Sequence, residues 1–312
     1  MTTAFITHND CLKHDMGSYH PECPDRLTAI EDQLIASGIG QYLRRYEAGE
    51  ATDEQLERVH PADYIRLIRD TAPQHGTVHL DPDTAMNPHT LRASLLAAGA
   101  AVLATDLVMG GEVRTAFASV RPPGHHATRA RSMGFCIFNN IAVAAAHALE
   151  QPGIERVAVI DFDVHHGNGT EDMFGQGEWH DRVLMTGFFQ HPFYPYSGTD
   201  TAAPNMVNVP LRQGSDGRVA RRAVEESWLP ELTAFDPDMI LISAGFDAHR
   251  DDILGGLSLD ENDYAWITRR LMDVADRHAE GRIVSMLEGG YNLTALGHSV
   301  VAHVGALAGQ AS

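Results

Sequence analysis

The chain reads as an α/β protein built on a mostly parallel sheet. Short apolar runs alternate with longer stretches of helical spacing, the pattern of strands joined by crossover helices. Polar clusters follow directly on four of the strand-like runs: His125-His126, Asp161 to Asn168, Asp247 and Tyr291. Open sheets of this class bind ligands beyond the carboxyl ends of their strands, so clusters gathered on one edge mark a site. No linker, repeat or low-complexity tract interrupts the 312 residues, which predicts a single domain over 1–312.

Taken in order, TAFIT at 3–7 predicts the first strand. His14 to Arg26 is loop-like, and a helix starts near Pro24 with Leu27, Ile30, Leu34 and Ile35 on one face. A second helix follows His60-Pro61 and carries Tyr64, Ile65 and Ile68. Residues 73–90, rich in Pro, Asp, His and Gly, predict a surface loop. Leu91, Leu95, Leu103 and Leu107 recur at multiples of four among alanines, so 90–109 is helical and Gly110-Gly111 ends it. TAFASV at 115–120 is a strand that breaks at Arg121-Pro122-Pro123-Gly124. Asn139 or Asn140 caps a helix that stops before Pro152-Gly153. VAVIDFDVHHGNGT at 157–170 begins as a buried strand. Residues 182–186 form another, leading into an aromatic loop, GFFQHPFYPYSG. A helix at 218–232, strand MILIS, a helix at 261–280 and strand IVSML complete the order.

Net charge is −19, from 23 basic and 42 acidic residues. That disfavours nucleic acid and suits cationic substrates such as basic peptide tails or polyamines. No apolar run is read as approaching the roughly 18 residues that span a bilayer, so no membrane partner is expected. MTTAFITHND has no signal-peptide pattern. Cys11, Cys23 and Cys136, with no CxxC among them, suit a reducing compartment, and the protein is expected in the cytoplasm.

The stretch at 157–170 breaks the rule of a buried strand by placing Asp161 and Asp163 where it should stay apolar. Side chains alternate along a strand, so Asp161, Asp163 and His165 are expected on one side. Two carboxylates and an imidazole are costly to bury unpaired, and a divalent cation removes that cost. Asp163 and His165 supply two ligands. Asp247 is the best third, because Gly245 just before it permits close approach of the backbone. Three protein ligands leave an open position, as in catalytic zinc sites, although an oxygen-rich set also tolerates Fe(II), Co(II) or Mn(II). One histidine of the His125-His126 pair can take a proton from water and return it to a leaving amine. The other can stay charged beside an anionic intermediate. Asp161 and Asn168 can orient the two rings. Tyr291, after Gly289-Gly290, can polarise a carbonyl.

Arg121-Pro122-Pro123-Gly124-His125-His126, Asp161 to Thr170, Ser243-Ala244-Gly245-Phe246-Asp247 and Glu288-Gly289-Gly290-Tyr291 together resemble the zinc-dependent histone deacetylase family. Asn168 looks like the class II branch. The resemblance implies an arginase-like fold, with a central eight-stranded parallel sheet flanked by helices. It implies zinc on Asp163, His165 and Asp247, and His126 as general base and acid paired with Asn168. His125 is then the electrostatic partner paired with Asp161, and Tyr291 the carbonyl-polarising tyrosine. Gly134, Phe135 and Tyr194 match the substrate tunnel. A potassium ion is implied beside the zinc, on Asp161 and the backbone of Asp163 and His165, but Gly187 stands where the family has a serine.

The activity implied is hydrolysis of an N-acetyl amide on a lysine side chain. Hydrolysis of a small acetylated amine is the alternative within the fold. Polyamine-selective relatives carry a glutamate where this chain has Leu254, which leans towards acyl-lysine. A non-catalytic acyl-lysine binder would have lost Tyr291, and an arginase-like two-metal enzyme would need further carboxylates. Association into a homo-oligomer is left open.

Overall fold

Among the described residues, 2–201 and 203–310 of a computed structural model, the strands are β1 (Thr3–Thr7), β2 (Leu43–Glu47), β3 (Val78–His79), β4 (Ala85–Met86), β5 (Thr115–Ala118), β6 (Val157–Asp161), β7 (Val183–Gln190), β8 (Met206–Leu211), β9 (Met239–Ala244) and β10 (Ile283–Leu287). The helices are α1 (Asp25–Ala36), α2 (Asp53–Glu57), α3 (Ala62–Thr71), α4 (Thr90–Met109), α5 (Asn140–Ala148), α6 (Asn168–Phe174), α7 (Gly217–Ala223), α8 (Leu229–Phe235), α9 (Glu261–His278) and α10 (Leu293–Leu307). Eight strands make one sheet in the order β2-β1-β5-β10-β9-β6-β7-β8, with every neighbouring pair parallel. This is the single-domain, helix-flanked parallel architecture expected.

The central strands β5, β10, β9 and β6 are buried along their whole length, which is why they read as unbroken apolar runs. α4 packs on α5, β5 and β10, while α10 packs on α1 and α9. Local signals set the ends of several helices. Asn139 accepts the Ala142 N–H and caps α5. Asp260 and Asp263 form a capping box at the start of α9.

Two strands lie outside the sequence reading, and four expectations need correction. β2 and β8, the two outermost strands, carry no unbroken apolar run. β2 exposes much of its LRRYE sequence, and β8 carries Asn208 and Pro210. β7 runs to Gln190, so Gly187–Gln190 belong to a strand rather than to the aromatic loop. The 73–90 segment contains the β3–β4 hairpin. Ile35 is exposed, not part of the buried face of α1. Finally, α4 is long and apolar enough by composition to cross a bilayer, with 78 % of its most apolar window buried inside the fold, the burial of a core helix.

Candidate metal centre and active site

β5, β10, β9 and β6 are neighbours at the centre of the sheet, so their four exits meet. Past Asp161 the chain leaves the extended conformation. Asp161 Oδ1 accepts the Asp163 N–H at 3.0 Å and Asp163 Oδ1 accepts the His165 N–H at 2.8 Å. These successive side-chain turns, not the pleat of a strand, aim the three side chains. Asp161 therefore faces His125, whereas Asp163 and His165 face Asp247.

One donor atom each from Asp163, His165 and Asp247 lies within 4.8 Å of the other two. His165 Nδ1 is 2.9 Å from Asp163 Oδ1 and 3.2 Å from Asp247 Oδ2. The outward oxygens are already committed: Asp163 Oδ2 accepts the Gly289 N–H and Asp247 Oδ1 accepts the Val164 N–H, both at 2.9 Å. Asp247 Oδ2 is fully buried and makes no hydrogen bond, its approach to His165 being an ion-pair contact only. A Cβ on Gly245 would stand 2.0 Å from Asp163 Oδ2, and one on Gly289 2.0 Å from Asp247 Oδ2, so these positions admit no side chain. Burial and the Asp163 charge push Asp247 up to about 7. Burial works against charge on His165 too, but the two carboxylates raise it to about 10. Both directions show that the site favours a cation between the two acids. Two carboxylates, one of them with an orphaned buried oxygen, and an imidazole fit a divalent metal.

The His125 and His126 rings lie 4.0 Å apart. His125 Nδ1 is 2.9 Å from Asp161 Oδ2, and His126 Nδ1 is 2.7 Å from Asn168 Oδ1. Asn168 Nδ2 is turned to Met133 Sδ, so its oxygen faces His126 and accepts the Nδ1–H. This tautomer, assigned from the network, leaves Nε2 as the free acceptor. Burial first, then the charges of His125 and His165, hold the pKa of His126 well below that of an ordinary histidine. Burial would also lower His125, but the carboxylates of Asp161, Asp163 and Glu288 outweigh it and hold His125 well above.

A cavity of about 370 Å³ leads to this place. His126, Gly134, Phe135, His165, Tyr194, Leu254 and Tyr291 all line it. Phe193 stacks on His165 at 5.4 Å, Tyr194 meets His126 edge-on at 5.4 Å, and Phe135 meets Tyr291 edge-on at 5.8 Å. Tyr291 is 8 % exposed. Burial raises its phenol well above the ordinary value, although Arg26, 5.0 Å above the ring, opposes this.

All the residues singled out from the sequence therefore border one site. Others went unnoticed. Glu288 was read only as part of a motif. It is fully buried, its Oε2 accepts the Gly124 and His125 N–H groups at 2.7 and 3.1 Å, and Ser243 Oγ donates to its Oε1. The signal was there: an acid at the exit of an apolar strand, as with Asp161. Phe193, Gln190, Gln213 and Asp83 also line the cavity, without any sequence signal of their own. Gly187 pairs with Asp161 across β6–β7 and offers no side-chain oxygen.

A histone deacetylase domain model matches residues 20–307. The chain is 36% identical over 318 residues to a probable deacetylase of Archaeoglobus fulgidus, covering 99% of this chain and 87% of that protein. It is 37% identical over 333 residues to the polyamine deacetylase HDAC10 of Homo sapiens, covering 99% of this chain and 48% of that protein. The crystal structure of the HDA15 HD domain matches with a TM-score of 0.92 at 35% identity, covering 99% of this chain and 89% of that one. On this matched span and on the shared architecture, the chain belongs to the histone deacetylase family, whose chemistry is amide hydrolysis.

Proposed function

We propose that the chain, as one catalytic unit, hydrolyses the N-acetyl amide of a lysine side chain to acetate and the free amine. The observation that carries this is the convergence of Asp163, His165 and Asp247 beside the His126 ring, which lies 5.7 Å from that of His165 and is held by Asn168, on a cavity walled by Phe135, Phe193 and Tyr194. Asp163, His165 and Asp247 would hold zinc. A divalent ion there supplies Lewis acidity to the substrate carbonyl and to the attacking water. His126 Nε2 takes the proton of that water, with the ring fixed through Asn168. His125, protonated and clamped by Asp161, places positive charge beside the developing anion. Tyr291, kept protonated by burial, donates its O–H to the carbonyl oxygen. His126 then returns its proton to the leaving amine. The aromatic walls exclude water from the aliphatic stem. Potassium on Asp161 and the nearby backbone remains part of this reading, with Gly187 contributing no ligand.

The test is hydrolysis of an acetyl-lysine peptide by chelator-treated protein before and after zinc is restored. Activity is expected only after restoration, with about one zinc per chain bound. Tyr291→Phe should lower kcat by roughly 10²-fold or more, as loss of an oxyanion donor does. Full activity in either the metal-free or the Tyr291→Phe protein would sink the reading. The likeness to a polyamine deacetylase supports a second substrate class, small acetylated amines. Leu254 on the cavity wall favours the apolar lysine stem over a polycation. Initial rates on acetylspermidine beside the peptide decide between them.

A further inference from the structure

One buried carboxylate near the cavity belongs to neither the metal centre nor the paired histidines. Asp252 is 9 % exposed. Its Oδ1 accepts the Leu254 N–H at 2.9 Å. Its Oδ2 accepts the Tyr291 N–H at 2.6 Å and the Asn292 N–H at 3.0 Å. Asn292 is the N-cap of α10, so Oδ2 also sits at the amino end of that helix. Asn292 Nδ2 reaches back to the Asp251 carbonyl at 3.0 Å. Leu254 and Tyr291 line the same cavity from segments far apart in sequence. Each is next to a glycine pair, Gly255-Gly256 or Gly289-Gly290, which does little to stiffen it.

We propose that Asp252 is a positioning residue that locks the cavity wall at Leu254 to the phenol of Tyr291, so that substrate binding and carbonyl polarisation keep one register. This rests on the deacetylase reading of the site. Each carboxylate oxygen serves one partner segment. Removing the carboxylate leaves the buried Tyr291 N–H without its acceptor, and the Gly-Gly turn then shifts to find another. A phenol displaced by about 1 Å is enough to lose most of its effect on the transition state. Both segments have a further anchor, the Gly256 N–H to Gln190 Oε1 bond at 2.7 Å beside Leu254 and the Arg26 Nε–H to Gly290 carbonyl bond at 2.7 Å beside Tyr291, so the loss of Asp252 shifts them without unfolding either.

Two substitutions separate the roles. Asp252→Asn keeps the volume but offers one acceptor oxygen where two are in use. It can hold the Tyr291–Asn292 pair or Leu254, not both, and the pair of N–H groups wins. Its expected signature on an acetyl-lysine peptide is a KM raised about 3–10-fold with kcat changed less. Asp252→Ala releases both segments and lowers kcat about 10–100-fold. Because the effect acts through Tyr291, adding Asp252→Ala to Tyr291→Phe costs no further kcat. Losses that multiply in the double variant overturn the proposal. Amide hydrogen exchange gives a readout independent of turnover. In Asp252→Ala, exchange at Leu254 and at Tyr291–Asn292 should quicken together while β6 and β9 stay protected. Exchange unchanged in either segment overturns the coupling. Wild-type protein that cleaves no acetyl-lysine peptide defeats the deacetylase reading instead, and the exchange data still decide whether Asp252 joins the two segments.

Discussion

His125 and His126 are neighbours in sequence, yet their surroundings drive them to opposite charge states. The difference lies in what each Nδ1 meets: a carboxylate for His125, a neutral amide for His126. Asn168→Asp puts a second carboxylate in the amide's place. A negative charge at hydrogen-bond distance favours the imidazolium, so the pKa of His126 rises. A base must be neutral to act, so the acid limb of kcat/KM should move up by about one pH unit. A pH–rate profile with an unmoved acid limb would show that another group titrates. This scale also explains which site residues were legible. Asp161, Asp163 and the paired histidines announced themselves because charged groups do not belong at the exit of an apolar strand. Asp247 and Tyr291 followed from the same positional logic. Asp252 does not, because it acts on backbone N–H groups of a distant segment, and no side-chain pattern encodes such partners; Glu288 shares the strand-exit position of Asp161, and only its backbone partners are hidden.

At the scale of elements, the apolar strands that could be read are the central ones that carry the site. The edge strands β2 and β8 escaped because one-sided burial dilutes the apolar run. What ties elements together was equally hidden. Glu22, in the loop before α1, is fully buried and meets Arg121 at the exit of β5 through Nε and, at 2.7 Å, through Nη2. Arg26 of α1 donates to the same carboxylate at 3.1 Å and to the Gly290 carbonyl at 2.7 Å, beyond β10. Burial works against charge on Glu22, but Arg121, His14 and Arg26 outweigh it and hold its pKa well below the ordinary value. Glu22→Gln keeps the shape and leaves two buried guanidinium groups without their counter-charge. Breaking one partner of such a network costs about 3–5 kcal/mol. Denaturant titration measures it, and a loss under about 1 kcal/mol would mean that the backbone carbonyls alone satisfy the arginines.

For the molecule as a whole, the buried histidines outside the site set a stability that depends on pH. His60 is 1 % exposed; the Asn139 N–H donates to its Nε2 at 3.0 Å and its Nδ1 faces the Arg129 carbonyl at 3.0 Å. Only the neutral ring satisfies both, since a proton on Nε2 would confront another donor. Burial lowers its pKa to about 4, and that of His303, held between Thr268 of α9 and Ser285 of β10, to about 3. A folded-state pKa below the unfolded value of about 6.5 means that the unfolded chain binds the proton first on acidification. The contribution of each ring is therefore complete above about pH 6.5 and falls away towards the folded value, about 4 or about 3. Linkage puts the loss at about 2 kcal/mol per ring between pH 7 and pH 5. Glu288, pushed up to about 7 by burial, works in the opposite sense, so the slope of the wild-type curve alone is not diagnostic. The difference between variants is. His60→Gln keeps one donor and one acceptor but cannot titrate, and every other group is common to both proteins. Its stability relative to wild type should improve by about 2 kcal/mol as the pH falls from 7 to 5, with His303→Gln behaving alike. Parallel stability curves for variant and wild type across that interval would show that the fold does not depend on a neutral ring at these positions.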